Sequence, residues 1–108
     1  APVGIMLDAY EEEYKAGADR KFPDSVINDL YDAWEGTVRV RILRDGKTVA
    51  EKVLPCKVPA LGATKLSFTL KIPAELVNYQ LEAALVKQGA SPVRSVRDFK
   101  AVTKVKTR

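Results

Sequence analysis

The sequence predicts an antiparallel β-sandwich, and three observations carry that expectation. Apolar and polar residues alternate strictly through 37–42 and again through 65–72, the period of two of a half-buried strand. Asp45-Gly46 supplies the two positive-φ positions of a two-residue type I′ hairpin turn. From residue 37 onward, short strands are separated by turn signals with no helices alternating between them, the pattern of a sandwich rather than of a parallel sheet.

Taken in order, the first third admits two readings. Val26, Ile27, Leu30, Tyr31 and Trp34 fall at helical spacing, with Asp24 or Ser25 as a cap and Gly36 as a stop. Leu7, Tyr10 and Tyr14 line one face of a second such helix. The other reading makes 4–9 a strand, 12–15 its short continuation and 20–30 a further strand. Both satisfy the local pattern. The hairpin at 37–54 follows, and a two-residue loop pairs Arg44 with Lys47, Ile42 with Val49, Val40 with Glu51 and Val38 with Val53. In 65–72, Leu66, Phe68, Leu70 and Ile72 face the core and Pro73 ends the strand. Over 78–87, Tyr79, Leu81, Ala83 and Leu85 share one face, with Asn78, Gln80 and Glu82 on the other. Residues 88–92 read as a loop. The last strand, 93–105, places Ser95, Arg97, Phe99 and Ala101 on one face and Val96, Asp98, Lys100 and Val102 on the other.

Composition narrows the chemistry. The 108 residues suit one domain, and they carry a net charge of +4. The absence of His removes Ser-His-Asp and Cys-His catalysis and imidazole metal ligation. Cys56 is the single cysteine, so no internal disulfide and no CxxC zinc or redox site can form; it reads as an inert packing or loop residue. No apolar run approaches the roughly 20 residues of a membrane span, and no membrane partner is expected. The chain opens at Ala1-Pro2 without Met, which reads as a domain cut from a longer protein.

Tyr14-Lys15-Ala16-Gly17-Ala18, then Phe22 and Ser25-Val26-Ile27-Asn28-Asp29-Leu30, then Glu35-Gly36-Thr37-Val38-Arg39-Val40 follow one another in an order that resembles the immunoglobulin-like modules of family 2 glycoside hydrolases. Leu66-Ser67-Phe68, Ile72-Pro73, Asn78-Tyr79-Gln80-Leu81 and Pro92 to Phe99 agree, so the resemblance runs from about residue 5 to 102. It implies an all-β, immunoglobulin-like antiparallel sandwich of seven or eight strands without a disulfide, and it turns 20–30 into a strand. On that strand Asp24 takes a position where such modules carry an apolar residue. Burying an unpaired carboxylate is costly, so the expectation is an open face there or a kink after Pro23.

The resemblance also implies a non-catalytic accessory module that packs on the (β/α)8 catalytic domain of the same parent chain, and it favours a periplasmic or extracellular location. Tyr79 opens a late strand after a Pro-containing turn, as the tyrosine-corner residue of such sandwiches does. Asn28 and Asp29 end a strand and read as loop-shaping residues, and Asp45 and Gly46 shape the hairpin turn. Glu11 to Glu13 and Asp29, Asp32 and Glu35 supply carboxylates, but no local context pairs an acid with a nucleophile, so no catalytic, metal or cofactor site is expected. Tyr31 and Trp34 are the candidate ligand residues: exposed, they stack on a sugar ring; otherwise Trp34 folds over the end of the core or packs on a neighbouring domain. Arg94, Arg97, Lys100, Lys104, Lys106 and Arg108 read as a solvated basic face, with a nucleic-acid or polyanion surface as the alternative although no RRM, KH or zinc-finger pattern accompanies them.

Overall fold

The computed structural model describes residues 2–105, and all of their regular structure is β. The strands are β1 (Val3–Leu7), β2 (Glu13–Lys15), β3 (Asp19–Asn28), β4 (Trp34–Arg44), β5 (Lys47–Val58), β6 (Ala63–Lys71), β7 (Asn78–Val86) and β8 (Val93–Val102). One sheet has the order β1-β3-β6 and the other β2-β8-β7-β4-β5. All pairings are antiparallel except β2 with β8, which is parallel. This is the immunoglobulin-like arrangement, with the edge strand that opens the chain divided between the two sheets. Cys56 is a free, buried thiol.

The segment with helical spacing is the strand β3. Its inward positions Phe22, Asp24, Val26 and Asn28 are fully buried, which a two-sheet core rewards more than an isolated amphipathic turn. Pro23 sits in this central strand without breaking it. Its carbonyl accepts the Asp8 N–H at 2.8 Å just beyond the last β1 pair, Leu7 with Asp24, so the missing N–H falls where the β1 ladder has ended. The pairing of β3 with β6 runs through Pro23 without a shift, and Asp24 is fully buried. Neither the open face nor the kink expected at Asp24 is present.

The hairpin register differs from the expected one. The ladder shifts between Ile42 and Leu43: Leu43 faces Thr48 and Ile42 faces Ala50, so Val49 is the extra residue of a β-bulge. Beyond it Val40 faces Lys52 and Val38 faces Leu54. A one-residue slip turns every following side chain to the other face, so Val49 and Val53 lie outward and exposed. Cys56 and Val58 bring β5 back into the core. Between the sheets, Val38, Val40 and Ile42 of β4 join Leu81 and Ala83 of β7 and Phe68 and Leu70 of β6. Tyr14 packs edge-on to both Phe22 and Phe99, with centroids 5.4 and 5.3 Å away, and ties β2 to both sheets.

Candidate docking site at the loop end

Strand directions place Pro2 and the loops 29–33, 59–62 and 87–92 at one end of the sandwich, because Val3 pairs with Asn28, Trp34 with Val58, Ile27 with Ala63 and Leu85 with Val93. Asn28 braces that end. Fully buried, it donates through Nδ2 to the Asp32 carbonyl at 2.9 Å and the Pro59 carbonyl at 3.2 Å, and its Oδ1 accepts the Leu30 N–H at 2.9 Å. Backbone bonds complete the brace: Asp29 N–H to Pro2 O, Leu61 N–H to Leu30 O and Asn28 N–H to Gly62 O, all 2.8–2.9 Å.

On this rigid base stand three exposed apolar residues, Leu30 (37%), Leu61 (60%) and Tyr31 (86%). Leu61 is held at φ 53°, a left-handed conformation that costs a non-glycine residue about 1–2 kcal/mol. Beside them lies an apolar notch of about 270 Å³ lined by Pro2, Leu30, Trp34, Leu85 and Val93, with Lys87 also in its lining. Tyr31 and Trp34 do not form a joint platform. Trp34 is buried, facing the core beside Gly36, while Tyr31 points into solvent. A Cβ on Gly36 would lie 2.6 Å from the indole, so the glycine makes the space that Trp34 fills. The Lys87 ammonium stands 6.0 Å from the ring centroid.

The other singled-out residues serve the frame. The Tyr79 hydroxyl donates to the Glu75 carbonyl at 3.0 Å, four residues back, the geometry of a tyrosine corner. Asp45 and Gly46 have φ of 50° and 79° in the hairpin turn. Glu11, Glu12, Asp29, Asp32 and Glu35 are exposed, and among the described residues no three His, Cys, Asp or Glu gather as a metal site. The basic residues of β8 divide between its faces, with Arg94 and Lys100 on one and Arg97 on the other. Lys106 and Arg108 lie outside the described residues. Among the described residues no helix is long and apolar enough to cross a membrane.

Two carboxylates are buried in opposite ways. Asp24 has both oxygens enclosed without a hydrogen-bond partner, and burial, with the nearby Asp8 charge, raises its pKa from 3.8 to about 7. Asp8 is held by the Ser25 hydroxyl at 2.6 Å. Glu82 faces outward, yet Arg39, Arg41 and Arg94 surround it. Burial pushes its carboxyl up, but the Arg41 hydrogen bond and charge, with Arg39, outweigh that and hold it below the ordinary value. Neither the alternation nor any motif marked Leu61 or the Glu82 cluster. An apolar residue inside the Pro59-Ala60-Leu61-Gly62 turn was the available signal for Leu61.

Solved structures share this frame. A cycloisomaltooligosaccharide glucanotransferase from Paenibacillus sp., complexed with cycloisomaltoheptaose, matches 94% of this chain with a TM-score of 0.72 and 18% identity. The CARDB domain of a Pyrococcus furiosus protein matches 94% at 0.66 and 16%. An alkylpurine DNA glycosylase of Pseudomonas fluorescens bound to DNA matches 94% at 0.67 and 11%. The likeness is one of fold. The chain spans 14% of the glucanotransferase and 31% of the DNA glycosylase, but 94% of the CARDB domain. No protein-family model and no curated protein matches it.

Proposed function

We propose that this domain is a non-catalytic accessory module of a carbohydrate-active enzyme, docked through its loop end on the (β/α)8 catalytic domain of the same polypeptide. The observation that carries the reading is the apolar tripod Leu30, Tyr31 and Leu61 on the Asn28 brace. Rigid apolar groups lose little entropy on docking, and the Leu61 side chain stays exposed while its backbone is held in a strained left-handed conformation. The sequence resemblance to family 2 modules and the sandwich shared with a glucanotransferase support a carbohydrate-active parent. A benzophenone amino acid at position 31 of the parent polypeptide should cross-link to its catalytic domain, and Leu61→Asp should abolish the cross-link. Cross-linking to nothing within the parent overturns the docking.

The exposure of Tyr31 favours a second reading, a sugar-stacking site. Titration of the chain with isomaltooligosaccharides separates the two. Saturable shifts of amide resonances 30–32 mark a sugar site, and a flat titration leaves docking. Turnover of a chromogenic glycoside by the chain alone excludes both.

A further inference from the structure

The outer face of the five-stranded sheet carries a groove at the end remote from the loops described above. The outward positions of β4 run Arg39, Arg41, Leu43, and the last of them is apolar and 8% exposed. Gln80 on β7 faces Leu43, and Asp98 on β8 faces Gln80; in the next row Asn78 faces Lys100. A bulge bends its strand, and the one at Val49 lies beside Leu43, next to the turn that brings Asp45 and Gly46 to the rim. The cavity so formed holds about 540 Å³, with Leu43 in its floor and Asp45, Asn78, Gln80 and Asp98 around it. A second cavity of about 290 Å³ shares Asn78 and Asp98 and continues past Lys100 to Tyr10 and Glu12. Among the described residues no side-chain hydrogen bond or ion pair engages Asp45, Asn78, Gln80, Asp98 or Lys100.

The lining selects the ligand. Amides donate and accept, carboxylates accept, and the Lys100 ammonium donates. Three carboxylates, Asp45, Asp98 and Glu12, line the two cavities against one ammonium, so an anion is repelled. A cation satisfies the carboxylates but leaves the N–H groups of Asn78, Gln80 and Lys100 without an acceptor. Hydroxyl groups donate and accept at once, and the C–H faces of a sugar ring cover Leu43 and Tyr10. We propose that this groove binds a neutral oligosaccharide lying across the strands from the Asp45 turn to Tyr10. Three strand spacings separate β4 from β2, about 14 Å in all. That length suits a short chain rather than a single ring, and the larger cavity falls within the common range of ligand sites. The site lies at the opposite end from Leu30, Tyr31 and Leu61, and it needs neither the docking assigned to them nor the stacking on Tyr31.

The test follows the side-chain NH2 resonances of Asn78 and Gln80 while the chain is titrated with trisaccharides of glucose, mannose, galactose and xylose. With at least one of them the two signals should shift together and saturate, with a Kd on the order of 1 mM, while amides 30–32 stay in place. Asp98→Ala, at an exposed position, should weaken that binding at least tenfold. The matching monosaccharide should bind more weakly than the trisaccharide, because it fills only one of the two cavities. Equal affinities overturn the extended chain. Saturable shifts confined to 30–32 place the sugar at the loop end and overturn the groove, as does the absence of saturable shifts with all four sugars. Tighter binding of spermidine than of any trisaccharide overturns the neutral ligand. None of these failures touches the loop-end docking, which the cross-link at position 31 tests separately.

Discussion

Asp24 is the residue whose neighbourhood least suits its chemistry. Its folded pKa, raised from 3.8 to about 7, makes the neutral acid the prevailing form below pH 7. Below pH 4 both folded and unfolded chains hold that proton and the group is neutral to stability. As pH rises from 4 to 7 the unfolded chain ionises first, so stability falls, by about 4 kcal/mol in all, and levels off above pH 7. Urea unfolding of the wild type and of Asp24→Asn, compared at pH 4 and pH 8, should show this fall in the wild type and its loss in the variant. Tyr79 gives a smaller test: Tyr79→Phe removes the bond to the Glu75 carbonyl and should cost about 1 kcal/mol. Both residues were visible in the sequence, Tyr79 by its place after the Pro73 turn and Asp24 by its inward parity. The absence of any partner for Asp24 was not, because that depends on what the facing sheet offers.

At the scale of the element, alternation identified β6 and β7 because each has one clean face against the core. It failed on β5, where the Val49 bulge reverses the faces and no local residue announces it. It also missed the burial of Glu82 and Ala84 on the outer face, which arises from arginines on two neighbouring strands. β3 carries helical spacing but lies as a strand, since its pairing partners β1 and β6 are remote in sequence and outweigh a local preference. The start of β4 depends on one missing side chain. Gly36→Ala sets a methyl 2.6–2.7 Å from the Trp34 ring and from the Val86 carbonyl. That should destabilise the chain by about 1–3 kcal/mol and move Trp34 emission to the red as the indole is displaced into water. An unchanged emission spectrum contradicts the packing described.

The whole molecule is elongated, 46 × 30 × 19 Å, with most of its pairings between distant parts of the chain. Such topologies fold on the millisecond-to-second scale. Cys56, 5% exposed with its thiol pKa pushed up by burial, lies beyond reagents until the sheets part. Its modification by a thiol reagent should therefore follow global unfolding, with an urea dependence matching that of the Trp34 signal. A fast phase in native buffer would place β5 outside the cooperative unit. The division of the opening strand matters mechanically. β1 begins at one end, β8 runs toward the other, and β2 lies parallel to the last residues of β8. Tension between the two termini therefore pulls β2 and β8 in opposite directions along their common axis, loading that short ladder in shear so that its bonds must give way together rather than one at a time.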